Sequence, residues 1–178
     1  GHRAALARAL NTLGLVTLHQ GDSRAANRYF SESLALNREL GNQLGAATAL
    51  YNLAMQAGHA ADYPRAGLLY QEALALQTAL GNRSVIADIR VAQGALAAAQ
   101  GDFSTARAHY EAAAQTYILL DTPADAAYVS AGLGEIAFYT GQYAEAQRCY
   151  TGALATFRQA GNRRLVGRCL SWLGRIAC

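Results

Sequence analysis

The chain has no lysine; all 15 of its basic residues are arginine. This excludes chemistry that needs a primary amine, both the lysine of a phosphate-cradling loop and the Schiff-base lysine. Cysteine is scarce too. Cys149, Cys169 and Cys178 are odd in number and lack CxxC spacing, so they are read as reduced thiols, small apolar groups in a cytoplasmic protein. Charged residues make up only 15% of the sequence against 52% hydrophobic, a balance that argues for an ordered, helix-rich chain and against disorder. No apolar run reaches 18 residues without a polar interruption, so no membrane span is expected. The first residues lack the basic, apolar and small-residue order of a signal peptide. Gly1 and His2 are read as a cloning remnant outside the fold. There is no glycine-rich phosphate loop, no cluster with metal-ligand spacing and no histidine beside a nucleophile at a strand-to-helix turn. Gly132-Leu133-Gly134 is too short to count as such a loop. Neither catalysis nor a cofactor is expected.

What the sequence does have is a period. When Arg3–Asn42 is laid over Gln43–Asn82, 14 of 40 positions are identical, among them Leu10/Leu50, Leu13/Leu53, His19/His59, Asp22/Asp62, Ala26/Ala66, Leu34/Leu74 and Gly41/Gly81. Chance would give roughly three or four. A fixed period of this length marks an array of stacked units, each supplying its neighbour's core. The units are 3–42, 43–82, 83–122, 123–162 and a half unit 163–178, read together as one domain, 3–178. Each full unit carries two apolar stripes at three- and four-residue steps, with a break between them. In the first unit these are Leu6, Ala9, Leu10, Leu13 and Val16, then Ala26, Phe30, Leu34, Leu36 and Leu40. Gly21, Gly41, Gly81, Gly101 and Gly161 suit the left-handed position after a helix; Asp22, Asp62 and Asp102 suit the cap of the next. Pro64 and Pro123 fall in first turns, where a missing N–H costs little, and Thr122-Pro123 is expected to start a helix as well as Gly-Asn does. Nine helices are predicted, over 3–20, 23–40, 43–60, 63–80, 83–100, 103–120, 123–140, 143–160 and 163–177.

Small residues recur opposite large ones. Gly14, Ala54, Gly94, Gly134 and Gly174 share one position, and Ala26, Ala66, Ala106 and Ala146 a second. Phe30, Tyr70, Tyr110 and Tyr150 share a third, which lets helices approach closely around a filled core. Leu13-Gly14, Ala26, Phe30 and Ser33, with Leu53-Ala54, Ala66, Tyr70 and Ala73, resemble the tetratricopeptide repeat over nearly the whole chain. The 40-residue unit, with its Leu-Gly-Asn boundaries and Gly-Asp turns, is similar to the extended repeats of bacterial LuxR-type ATPase transcriptional regulators.

The resemblance implies an all-α, right-handed solenoid of antiparallel helix pairs, whose inner wall comes from the first helix of each unit. By the family's spacing that wall is Asn11, Leu15, Leu18 and His19; Tyr51, Met55 and His59; Asp88, Val91 and Ala95; Tyr128, Glu135, Phe138 and Tyr139; and Arg168 and Arg175. It implies a non-catalytic module holding a protein or peptide, the interaction or signal-receiving part of a regulator. A small-molecule effector site is the alternative. Neither nucleic acid nor membrane is an expected partner.

Individual features stay open between two readings. His19 and His59 are either repeat consensus or a metal pair lacking a third ligand. Tyr128, Glu135, Phe138 and Tyr139 are either a ligand platform, with the carboxylate anchoring a cation, or ordinary packing. Asp88, Arg90 and Gln93 replace apolar consensus residues and form either an internal polar cluster or a selectivity element; a buried guanidinium there needs a partner. The net charge of +3 is uneven, since 163–178 holds four arginines and no acid. Arg163, Arg164, Arg168 and Arg175 either grip an anion or meet acids of a neighbouring segment. Leu165, Leu170, Leu173 and Ile176 are expected to be exposed at the end of the array, through which 163–178 would pair with another copy or continue into a longer protein.

Overall fold

The computed structural model describes residues 1–177; Cys178, one of the three predicted thiols, lies outside the described residues. Among them are nine helices: α1 (His2–His19), α2 (Ser23–Glu39), α3 (Gln43–His59), α4 (Tyr63–Ala79), α5 (Arg83–Ala99), α6 (Phe103–Leu119), α7 (Pro123–Tyr139), α8 (Tyr143–Gln159) and α9 (Arg163–Ile176). The fold class is the expected one, all-α helical repeats, and the bounds fall within about a residue of the prediction. His2 is the first residue of α1 and is exposed. The chain forms two compact units, residues 1–89 and 90–178.

The turns recur every 20 residues because the same backbone geometry is needed each time. Gly21, Gly41, Gly81, Gly101, Gly141 and Gly161 have φ between 64° and 84°, a region closed to most side chains by the clash of Cβ with the backbone. Ala61 and Asp121 take the same conformation, at φ 58° and 53°. After each turn a side chain caps the next helix: Asp22 accepts from the Ala25 N–H at 2.9 Å, Asp102 from Thr105 at 3.0 Å and Asn162 from Leu165 at 3.2 Å. Thr122 departs from the prediction. Its side chain makes no cap bond, and its hydroxyl instead donates back to the Tyr117 carbonyl at 3.3 Å.

In the first unit α1 packs on α2, α2 on α3 and α3 on α4. Phe30 is wholly buried, and a Cβ at Gly14 would stand 2.4 Å from its ring, so that glycine is a steric necessity. The first predicted stripe is corrected: Leu6, Leu13 and Val16 are exposed, and α1 buries Ala7 and Gly14 instead. The equivalent positions of α3, Ala46, Leu53 and Gln56, are buried because α3 stands between α2 and α4, whereas α1 is packed chiefly on α2. Leu40 is exposed as well. Polar pairs tie the hairpins: the Ser33 hydroxyl donates to the Ala7 carbonyl at 2.8 Å, and Arg38 pairs with Glu72.

In the second unit α6 packs on α7, α7 on α8 and α8 on α9. Gly94 and Gly132 both face the ring of Tyr110, where a Cβ would come within 2.8 Å and 3.0 Å. Gly134 meets Tyr150 and Cys149 in the same way. Gly174, placed by its register in the same set, meets nothing within 4 Å. Arg107 on α6 reaches Glu145 on α8 through two contacts, at 2.7 Å and 3.3 Å. The expected apolar exposure of α9 is corrected too. Leu165 and Cys169 are buried with Tyr150, Leu154 and Phe157, and Val166, Trp172, Leu173 and Ile176 pack against that cluster, so only Leu170 remains exposed of the four. The stripe is covered because it faces α8, not outward.

Candidate functional site

The predicted wall residues divide between the two units. In the first, Asn11 is half-buried and accepts a hydrogen bond from the Asn52 amide at 2.9 Å, while Tyr51 meets Tyr70 edge-on at 5.9 Å. Leu18 and Met55 are half-buried; Leu15 and Asp88 are exposed. His19 and His59 are exposed at the ends of their helices, and His19 Nδ1 lies 2.8 Å from the Leu15 carbonyl of its own helix.

In the second unit several of them converge. Ala95, Tyr128, Glu135, Tyr139 and Arg168 line one cleft of about 460 Å³, contributed by α5, α7 and α9. The periodicity explains the convergence: 128, 135 and 139 fall on one face of α7, and the first helices of successive repeats flank it. Tyr128 and Tyr139 are 42% and 54% exposed, so neither is consumed by the core. Glu135 is exposed. The Arg168 guanidinium lies over the Tyr128 ring, 5.2 Å from its centroid. Val91 is half-buried and is not among the cleft residues.

Phe138 is turned away from the cleft. It packs edge-on against Tyr139, Tyr143 and Trp172 with centroids 5.1–5.7 Å apart. Trp172 stacks on Tyr150 at 5.6 Å and 8°. Arg175 caps this aromatic group, 4.2 Å from the Trp172 ring and 5.0 Å from Phe138. The wall of α7 is thus built in two layers: rings facing the cleft, and a second row behind them that holds α9 in place.

Sequence reasoning missed Phe103, Tyr110, Gly132 and Trp172. Phe103 stands at the start of α6, a second helix, and family spacing puts only first helices on the wall; here its ring lies flat against Tyr139 and joins the cleft lining. Tyr110 was assigned to packing alone, yet it is both buried and part of the lining. Burial first, and then the nearby charge of Glu135, pushes its hydroxyl up to about 12, so it enters the cleft as a neutral donor. The buried Tyr150 hydroxyl has no hydrogen-bond partner, and burial, then Glu135, raises its pKa as well. Of the predicted polar cluster, Arg90 and Gln93 are half-buried, and the Gln93 carbonyl oxygen is buried without a partner. His109 is held below the ordinary histidine range by burial first and by the Arg90 charge second.

A second hollow of about 550 Å³ lies among the ends of α6 and α7 and the middle of α8, lined by Ala114, Ile118, Ala126, Leu133, Gly152 and Thr156, among others. Positions 34, 74 and 154 hold leucine where Ala114 stands, so a small part of this hollow is room that a longer side chain takes in the other repeats.

No protein-family model and no curated protein matches the chain. Solved structures do. A Signal Transduction ATPase with Numerous Domains from Pyrococcus horikoshii, with a tetratricopeptide repeat sensor, superimposes with a TM-score of 0.87 at 10% identity, over 96% of this chain and 27% of that one. A Rap protein complexed with Competence and Sporulation Factor gives 0.81 at 15% identity, over 98% and 54%. A putative kinesin light chain with tetratricopeptide-like repeats from Podospora anserina gives 0.78 at 14% identity, over 99% and 86%. The fold is therefore that of tetratricopeptide-like repeats. The chain spans about a quarter of the first of these proteins and about half of the second.

Proposed function

We propose that this segment is a binding module that holds a polypeptide of a partner protein against the α5–α7–α9 face of its second unit. The observation that carries the reading is the pair Tyr128 and Tyr139, large rings left exposed beside Glu135 and Arg168 in a cleft, when the same chain buries Tyr70, Tyr110 and Tyr150. Aromatic and arginine side chains that sit together at a surface are the usual energetic centres of protein interfaces. The Rap structure, solved with Competence and Sporulation Factor, supports a polypeptide guest by analogy of fold. The tetratricopeptide repeat sensor of the signal transduction ATPase supports, by analogy of fold, a signal-receiving place in a larger regulator. Cytoplasmic residence goes with that reading. Self-association through 163–178 loses its main motive, since the apolar stripe of α9 is covered within the unit.

A second reading, a small effector in the cleft, is favoured by its volume, which falls inside the range of about 300–1,000 Å³ usual for small-molecule sites. Selection from a random peptide library on the immobilised segment, run beside calorimetry with a metabolite panel, separates the two. Peptides whose binding is lost in Tyr128→Ala and Tyr139→Ala support the first. A metabolite bound with the same dependence, and no peptide, replaces it with the second.

A further inference from the structure

The chemistry of the guest can be taken one step further, on the premise of the binding reading above. α9 carries Arg164, Arg168 and Arg175, at steps of four and seven residues, which at 100° per residue fall within about 40° of one another on the helix surface. All three are exposed. Residues 163–178 contain no acid, and carboxylates pair with Arg3, Arg28, Arg38 and Arg107 on other helices. Among the described residues, Arg164, Arg168 and Arg175 enter none of these ion pairs.

Two of the three are mounted. Arg168 lies over Tyr128, and Arg175 over Trp172 and Phe138. A guanidinium seated over a ring is positioned there while its N–H groups stay available to a carboxylate, which they match bidentately. The rings also remove much of the rotamer freedom that an arginine loses on binding, which lowers the entropic cost of association. An exposed arginine wanting only solvent has no need of such a mount.

We infer that the guest presents an acidic segment along this row, with its carboxylates spaced to meet the three arginines while its neighbouring side chains enter the Tyr128/Tyr139 cleft. The spacing follows from the helix. Arg164 and Arg168 are about 6 Å apart along the axis and Arg168 and Arg175 about 10.5 Å. An extended strand advances about 3.3 Å per residue and alternates its faces, so the pattern acid-x-acid-x-x-x-acid keeps all three carboxylates on the side of the row, about 6.6 and 13 Å apart, within reach of the long arginine side chains. Arg168 belongs to both features, lining the cleft and standing in the row, and so joins them. Glu135, the one acid of the cleft lining, disfavours a uniformly anionic guest such as nucleic acid, which would bring phosphates against it.

The test uses the whole chain and three fluorescent probes in anisotropy titrations: a twelve-residue peptide containing Glu-Ala-Glu-Ala-Ala-Ala-Glu, a peptide of the same composition with its three glutamates adjacent, and a single-stranded oligonucleotide of twelve bases. The spaced peptide is expected to bind at least fivefold more tightly than the other two. Arg168→Gln and Arg175→Gln should each weaken it tenfold or more with circular dichroism unchanged, and Arg168→Lys, which keeps the charge and loses the fork, should weaken it by an intermediate factor. Equal binding of the two peptides, an oligonucleotide that binds as tightly, or indifference to the arginine variants overturns the inference. If library selection returns peptides that need Tyr139 but carry no acids, this inference fails and the binding module stands. If no peptide of any kind is selected, the module itself fails.

Discussion

The ring of Tyr139 lies flat on that of Phe103, with centroids 5.9 Å apart and planes 4° from parallel. One residue ends α7 and the other begins α6, so the stack fixes an exposed ring on the cleft wall without burying it. A preset ring gives a guest contact area at little entropic cost. Tyr139→Ala should therefore weaken guest binding by tenfold or more while leaving helix content unchanged. Phe103→Ala should weaken it by a smaller factor, since it removes the support and leaves the contact. Anisotropy with a library-selected peptide, beside far-ultraviolet circular dichroism, reads both effects; equal affinities in all three proteins would move the site off this wall.

Ala61 occupies at φ 58° a turn that elsewhere belongs to glycine at φ 64° to 84°. A β-carbon in that region costs roughly 1–2 kcal/mol, offset in part because glycine makes the unfolded chain freer. Ala61→Gly is expected to stabilise the protein by about 1 kcal/mol, seen as a rise in the urea midpoint with an unchanged slope. No rise would mean that the turn relaxes around the methyl group.

The fold was legible in the sequence because a repeat states each rule several times. One glycine before a helix is weak evidence; Gly21, Gly41, Gly81, Gly101 and Gly161, each followed by a capping side chain at the same interval, form a pattern that few backbones satisfy. The cleft was legible in part for the same reason, since Tyr128, Glu135, Tyr139 and Arg168 fall at the spacing of the wall positions in first helices. Where it failed, the period itself misled. Leu13 and Leu53 occupy one register yet differ in burial, because α3 has helices on two sides and α1 packs chiefly on one. Phe103 and Trp172 take part through contacts between helices, which no single register reports.

Gly94 and Gly174 make the same point as a prediction. Gly94→Ala drives a methyl group to 2.8 Å from the Tyr110 ring, and overpacking of this kind costs about 1–3 kcal/mol. Gly174→Ala meets nothing within 4 Å, so it should gain up to about 1 kcal/mol from helix propensity alone. Thermal unfolding followed at 222 nm should shift in opposite directions for the two variants. A matching loss at both would show that register, not the neighbour, decides.

Arg107 donates to Glu145 and holds its carboxyl below the ordinary glutamate range, chiefly through that hydrogen bond. A carboxyl depressed in the folded state contributes stability that is present above the unfolded value, about 4.3, and lost as pH falls through the folded one. The two side chains are 28% and 29% exposed, so solvent screening limits the pair to about 1 kcal/mol or less. Glu145→Gln should reduce stability at pH 7 and make little difference once the pH is below the folded value. Urea titrations at a series of pH values descending from 7 read the difference; a deficit that stays constant down to the most acid pH at which the protein folds would assign the loss to packing.

Ala114 is the place where the repeat leaves room. Positions 34, 74 and 154 carry leucine, and beside Ala114 lies the hollow of about 550 Å³ floored in part by Gly152 and Ala153. Leucine here adds three carbons to a lining that is already mostly apolar, and each buried methylene is worth about 0.8 kcal/mol when it removes surface from water without strain. The hollow is open on one side, so part of the side chain stays wet and the expected gain for Ala114→Leu is about 1 kcal/mol. The cleft at Tyr128 and Tyr139 shares no lining residue with this hollow, so guest affinity should be unchanged. A higher urea midpoint with equal affinity identifies the hollow as unfilled packing. A higher midpoint with weakened guest binding would instead place part of the guest against α6 and α8, and would extend the binding surface beyond the wall of first helices.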